Sequence, residues 1–209
     1  QNPDFQQISP HFLAMTATPI PRSLQLTIFG DLDIAIINQM PKGRTPIKTR
    51  LYNELNLKDV IYPELSEHLA AGEQVYVICR LIDEAISDED KSRTVIETAK
   101  LLQKQFSKYQ IGILHGKLKP AEKDQVMQNF KEQKTQILVS TTVVEVGVDV
   151  PNATQIVILN ADRYGLAQLH QLRGRVGRGD KPSQCFLVTT GENPPSRRLL
   201  EMEKSTDGF

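Results

Sequence analysis

At 209 residues with 39% hydrophobic content, the chain carries enough apolar material for one well-packed domain of ordinary size plus an appendage. Lys+Arg and Asp+Glu each total 25, so no global field draws the molecule to nucleic acid and any polyanion must be met by a local patch. No apolar run approaches the ~20 residues that span a bilayer and no stretch has the order of a secretory signal, so a soluble, cytoplasmic protein is expected.

In chain order, FLAMTA (12–17) reads as a strand followed by a tight turn and one helix, too little to bury a core of its own. Residues 1–37 are therefore expected to be the remnant of another domain. Their apolar face needs a partner, which self-association through residues 1–30 would supply. The Pro-, Gly- and Lys/Arg-containing stretch that follows predicts a linker over 38–46. A domain then runs over 47–192, and residues 193–209 begin a further extension. Within the domain, Leu57, Ile61, Leu65 and Leu69 predict a helix over 57–71 stopped by Gly72. Helices are also predicted over 92–106 and over 120–131, the latter opened by Pro120. Apolar, β-rich runs at 74–82, 111–116, 136–142, 155–160 and 184–190 read as strands buried on both faces. The acid-rich stretch 83–93 reads as a solvated loop. This alternation predicts an α/β fold, a doubly wound, mostly parallel sheet with helices on both faces and ligands at the carboxyl ends of its strands. Cys79 and Cys185 lie in apolar surroundings and read as small core residues; no metal site is expected.

Four segments carry residue types suited to chemistry. In QLHQLRGRVGRGDK (168–181), Gly174 and Gly177 let the backbone approach closely, and Arg175 and Arg178 are planar forks suited to phosphate oxygens. Three residues apart on one helical face, both arginines could reach a single polyphosphate; Gln171 stands one turn before them. Arg163 and Lys181 read as ordinary solvated cations. In ILVSTTVVEVGVDVPNAT (137–154), a buried strand ends at Thr141 and Thr142, presenting hydroxyls and N–H groups at a sheet edge. The run that follows would pass for another strand, but Gly147 and Pro151 break it. In ILHGKLKP (113–120), His115, Gly116 and Lys117 suit contact with a phosphate backbone, and Lys119 suits this or plain surface. MTATPIPRSL (15–24) contributes Thr16 and Thr18.

At these residues the chain resembles the superfamily 2 helicases, and their ordered spacing covers essentially the whole sequence. The resemblance implies a RecA-like second helicase lobe. In it Arg178 is an arginine finger with Arg175 beside it, while Gln171, Gly174, Gly177, Gly147 and Asp149 face the nucleotide or the other lobe. It also implies that Thr141, Thr142, His115, Gly116 and Lys117 hold DNA, and that Thr16 and Thr18 couple nucleotide state to that grip. Val146 stands where many members carry an arginine, so no charged role carries over there. ATPIPR, FGDLD, MPKGR, the acidic insertion and YGLAQLHQLRGRVGRG are similar to the RecG family in particular; Arg80 departs from the proline expected after Cys79. Transcription-repair coupling translocases share two of these segments and are the alternative, and a stand-alone nucleic-acid-binding module is a third reading. The implied activity is ATP-dependent DNA helicase action on stalled forks and Holliday junctions in recombination and repair. Branched or duplex DNA, the first lobe and a wedge domain are the implied partners, without any membrane. No G-x-x-x-x-G-K-[ST] loop occurs, and Asp83–Glu84 reads as the start of the acidic insertion. ATP and Mg²⁺ are thus expected to be bound mainly by the missing lobe, and these residues alone are expected neither to bind nor to hydrolyse ATP.

Overall fold

The computed structural model describes residues 46–79, 88–141, 149–191 and 194–205, with backbone alone for 88–93, and Leu13 and Ala35 singly. Apart from those two residues, all lie in a compact unit spanning Asn38–Gly208. Of the strand expected over 12–17, all but Leu13 falls outside the described residues. The chain runs β1 (Lys48–Asn53), α1 (Tyr62–Ala70), β2 (Gln74–Ile78), α2 (Asp88–Gln105), β3 (Ile111–Leu114), α3 (Pro120–Lys131), β4 (Ile137–Ser140), β5 (Ala153–Leu159), α4 (Leu166–Arg173), β6 (Gln184–Thr189) and α5 (Arg197–Lys204). The six strands pair in the order β1-β6-β5-β2-β4-β3, every pair parallel, which is the doubly wound sheet the alternation predicts.

Strand pleating sorts the side chains into two cores. Val75, Val77, Val139, Val157, Phe186 and Val188 pack on one face with Leu65 and Leu69 of α1 and Val95, Ala99 and Leu102 of α2. Tyr76, Ile78, Leu138, Ile156, Ile158 and Leu187 pack on the other with Met127 and Phe130 of α3, Leu169 and Leu172 of α4, and Leu199 and Met202 of α5. α1, α2 and α3 bury apolar positions that their spacing marks. Termini follow local chemistry. Pro120 opens α3, where the Glu122 carboxylate accepts from the Lys119 N–H at 2.7 Å. α1 closes with Gly72 N–H donating to Leu69 O and Glu73 N–H to His68 O, the paired bonds of a helix-ending turn. Before α1, Leu57–Ile61 is wound more loosely, as a π-helix.

The structure adds a strand and moves the start of a helix. β1, KTRLYN, carries too little apolar alternation to stand out as a strand, yet pairs with β6 along its length. The acid-rich stretch 83–93 is not loop throughout, because α2 already begins at Asp88. Beyond β6, the described residues 194–205 pack on the domain: Leu199 and Met202 of α5 are fully buried in its core, and the Glu203 carboxylate accepts from the Leu51 N–H at 2.9 Å. Among the described residues no helix is long and apolar enough to cross a membrane.

Cys79 and Cys185 are both buried and unpaired, and burial pushes their thiols up to about 11 and about 12 respectively. Because the thiolate is the reactive form, both should resist a disulfide reagent in the native protein and react stoichiometrically in guanidinium. Rapid native labelling of either would contradict this packing.

Candidate functional site

The phosphate-suited residues divide between two opposite edges of the sheet. At the carboxyl edge, β4 ends at Ser140 and Thr141 follows, its N–H donating to Leu114 O at 3.3 Å. β3 ends at Leu114 and the chain turns through His115, Gly116 and Lys117, closed by Leu118 N–H donating to His115 O at 3.2 Å. That bond brings Thr141 beside the 115–118 turn. Gly116 and Lys117 are exposed, and a β-carbon on Gly116 would meet nothing within 4 Å. Burial, then the charges of Lys117 and Lys123, push the His115 pKa down. The ring is therefore neutral near pH 7 and suited to hydrogen bonding rather than ion pairing. Its Nδ1 is buried without a hydrogen-bond partner among the described residues.

The arginines lie elsewhere. α4 runs back along the sheet and ends at Arg173 with Gly174 as its cap. Arg175 and Arg178 therefore do not share a helical face, as their spacing suggested; they sit in the turn beyond it, where Arg175 N–H donates to Leu172 O and Val176 N–H to Arg173 O. Gly177 adopts φ +72°, a left-handed conformation that reverses the chain between the two arginines. Gly179 then passes so close to the segment entering β5 that a β-carbon there would lie 2.7 Å from Pro151 O. Arg178 Nε donates to Gly174 O at 3.1 Å and Nη1 lies 3.5 Å from Asp149 Oδ1.

Since Asp149 and Pro151 precede β5, this cluster occupies the amino edge. The 115–117 and Thr141 set lies at the carboxyl ends of strands, whereas the arginines lie at the amino edge, because the helix carrying them returns the chain to where strands begin. The pair is accessible: the Arg178 side chain is 30% exposed and that of Asp149 59%. Beneath it, burial raises the Tyr76 hydroxyl to about 12 against the pull of Arg175 and Arg178, so both guanidinium groups act electrostatically on this core phenol. Gln171 is exposed on α4. Thr16, Thr18, Thr142 and Gly147 fall outside the described residues.

Arg173, which precedes the two arginines of the turn, is structural. Its side chain is buried, with Nη1 donating to Thr49 Oγ1 and Met202 O, both at 3.3 Å, and to Ser205 O at 2.5 Å. Its Nη2 meets His170 Nδ1 at 3.1 Å; burial and the Arg173 charge push the His170 pKa down, which leaves that nitrogen an acceptor. Nothing in the local sequence separates this structural arginine from the two that follow. Apart from His170, these partners come from β1 and the end of α5, far away in the chain.

The family described as helicase conserved C-terminal domain matches residues 56–180. Over 203 residues the chain is 51% identical to an ATP-dependent DNA helicase RecG of Streptococcus pneumoniae, covering 96% of this chain and 30% of that protein. Over 202 residues it is 50% identical to the Synechocystis protein of the same name, covering 96% and 24%. The chain thus spans less than a third of the length of these relatives. A solved structure of RecG bound to a three-way DNA junction superposes with a TM-score of 0.74 at 41% identity, over 92% of this chain and 25% of that one.

Proposed function

The chain belongs to the family of helicase conserved C-terminal domains, as a lobe of the RecG type, and from that premise we propose that it is the second motor lobe of an ATP-dependent DNA helicase. ATP binds between this lobe and the preceding one, which also holds the accompanying Mg²⁺. Arg178 reaches the γ-phosphate as the finger, with Arg175 beside it, and stabilises the negative charge that spreads over the transferring phosphoryl group. Asp149, Gln171, Gly174 and Gly177 line the nucleotide and interlobe side. Thr141, Gly116, Lys117 and the neutral His115 hold the phosphate backbone of DNA. In the whole protein this motor acts in the bacterial cytoplasm on branched DNA, remodelling stalled forks and Holliday junctions.

The observation that carries this reading is the course of one segment. It leaves the carboxyl edge at Thr141 and is next described at Asp149, on the amino edge and in contact with Arg178. One edge then suits a nucleic-acid backbone and the other a triphosphate, with a single stretch of chain tied to both.

Purified full-length protein should hydrolyse ATP in a DNA-stimulated manner and unwind a three-way junction, whereas the isolated lobe should show no turnover. Robust hydrolysis by the isolated lobe would overturn the two-lobe assignment. Lys117→Ala should weaken DNA binding evenly across sequences and flatten the log–log salt dependence by about one unit of slope, the signature of one lost phosphate contact. An unchanged slope in a salt titration removes Lys117 from the interface.

A further inference from the structure

We infer that Lys181, with Glu73 as its partner, is a positioning residue that holds the arginine-bearing turn in register while Arg178 leaves Asp149 for the nucleotide. This rests on the motor reading above. The sequence reading left Lys181 among solvated surface cations; the structure gives its ammonium two partners, Asn152 Oδ1 at 3.4 Å and Glu73 Oε1 at 3.8 Å. Neither partner is a loose surface group. The Glu73 side chain is only 12% exposed. Its Oε2 accepts from Thr154 Oγ1 and lies 2.8 Å from His68 Nδ1. Despite burial, these bonds and the charges of His68 and Lys181 hold its carboxyl below the usual carboxylate range. Asn152 is fixed in turn, its Nδ2 donating to Gly72 O at 2.8 Å and to Gln74 Oε1 at 3.3 Å, while its carbonyl accepts from the Gln74 N–H at 3.0 Å. Glu73 and Asn152 thus form a rigid corner where β2 and β5 begin, and Lys181 docks on it.

The tethers described for the turn from Gly174 to Ser183 fall into three groups. Its first arm is held by the end of α4. Its middle is held by Arg178 on Asp149 and by the close passage of Gly179 over Pro151. Its second arm is held by Lys181 on the corner and by Ser183, whose hydroxyl accepts from the Gly177 N–H at 3.1 Å and whose carbonyl accepts from the Lys48 N–H at 3.0 Å. A triphosphate that draws Arg178 toward it weakens the Asp149 tether, which at 3.5 Å is already long. The second arm then carries a larger share of the restraint on where the guanidinium points. A displacement of about 1 Å at a catalytic group can cost on the order of 10²-fold in rate, so this ion pair, of little worth to stability, acts on turnover.

The test is ATP turnover by the full-length helicase with DNA saturating, for the wild type, Lys181→Met, Lys181→Arg, Glu73→Gln and Arg178→Ala. Lys181→Met is expected to lower kcat about 10- to 100-fold with KM for ATP within about twofold, since the lysine is placed to orient the turn rather than to bind ground-state nucleotide. Its melting temperature should stay within about 2 °C, as for loss of a half-exposed pair. Lys181→Arg should recover most of the rate, and Glu73→Gln should share the kcat loss. A wild-type kcat in Lys181→Met beside an inactive Arg178→Ala overturns this inference and leaves the finger assignment standing. Full turnover in Arg178→Ala overturns the assignment on which the inference rests. A kcat loss in Lys181→Met matched by a collapse in melting temperature, with no recovery in Lys181→Arg, marks the lysine as merely structural and also overturns it.

Discussion

Arg178→Ala in the full-length helicase is expected to lower ATP turnover by about 10³- to 10⁵-fold, the range over which arginine fingers act, while the affinity for junction DNA changes less than about twofold. The reason lies in where the side chain sits and what holds it. Its Nη1 is 3.5 Å from a carboxylate that is itself 59% exposed, and an exposed pair of this kind is worth at most about 1 kcal/mol. The guanidinium can therefore exchange Asp149 for a phosphate at small cost, and in that position it meets charge that grows only in the transition state. The groups that contact DNA lie at the other edge of the sheet and are not disturbed. Arg178→Lys should recover little, since an ammonium lacks the two-pronged geometry that a phosphoryl group presents. Steady-state turnover paired with a DNA-binding titration decides the matter. Near-normal turnover in Arg178→Ala would remove the arginine turn from catalysis.

The second large effect is on stability. Arg173→Ala is expected to destabilise the lobe by about 3 kcal/mol, because it leaves the acceptors at Met202, Ser205, Thr49 and His170 without their charged donor in a buried place. For a domain of this size each kcal/mol shifts Tm by roughly 2–4 °C, so a fall of about 6–12 °C is anticipated in calorimetry. The loss should be centred on α5, whose terminal carbonyls Arg173 collects, and should appear as faster amide exchange over residues 197–204. A Tm within 2 °C of wild type would mean that water replaces the guanidinium without cost and that α5 is held without it. Two arginines five residues apart thus have opposite signatures, one in rate and one in stability.

The strands from 74 onward, the stripes of α1 and α2 and the span of α3 were legible in the chain because burial on a sheet or helix repeats with a short period, and a short window contains that repeat. β1 was not, since Lys48–Asn53 earns its place by pairing with β6 rather than by its own apolar content. Nor was the early start of α2 at Asp88, where acidic residues read as solvated loop whether or not they are helical. In the site, the arginines and glycines of the turn stood out by type and spacing. Their assignment to one helical face failed because α4 stops at Arg173 and Gly177 reverses the chain. Arg173 and Lys181 were indistinguishable from neighbouring cations until their partners at Ser205, Thr49, Asn152 and Glu73 were in view.

From the order of residues alone came a parallel α/β lobe, the segments able to meet phosphates, and the resemblance that named a helicase. These rest on local periodicity, residue chemistry and spacing, none of which depends on distant parts of the chain. Tertiary structure decided that Thr141 and Arg178 stand on opposite edges of the sheet, that α5 completes the core rather than leaving it, and which of the basic side chains are structural. Each of these turns on where a helix returns the chain and what it meets there, a consequence of long-range packing that no short stretch of sequence contains.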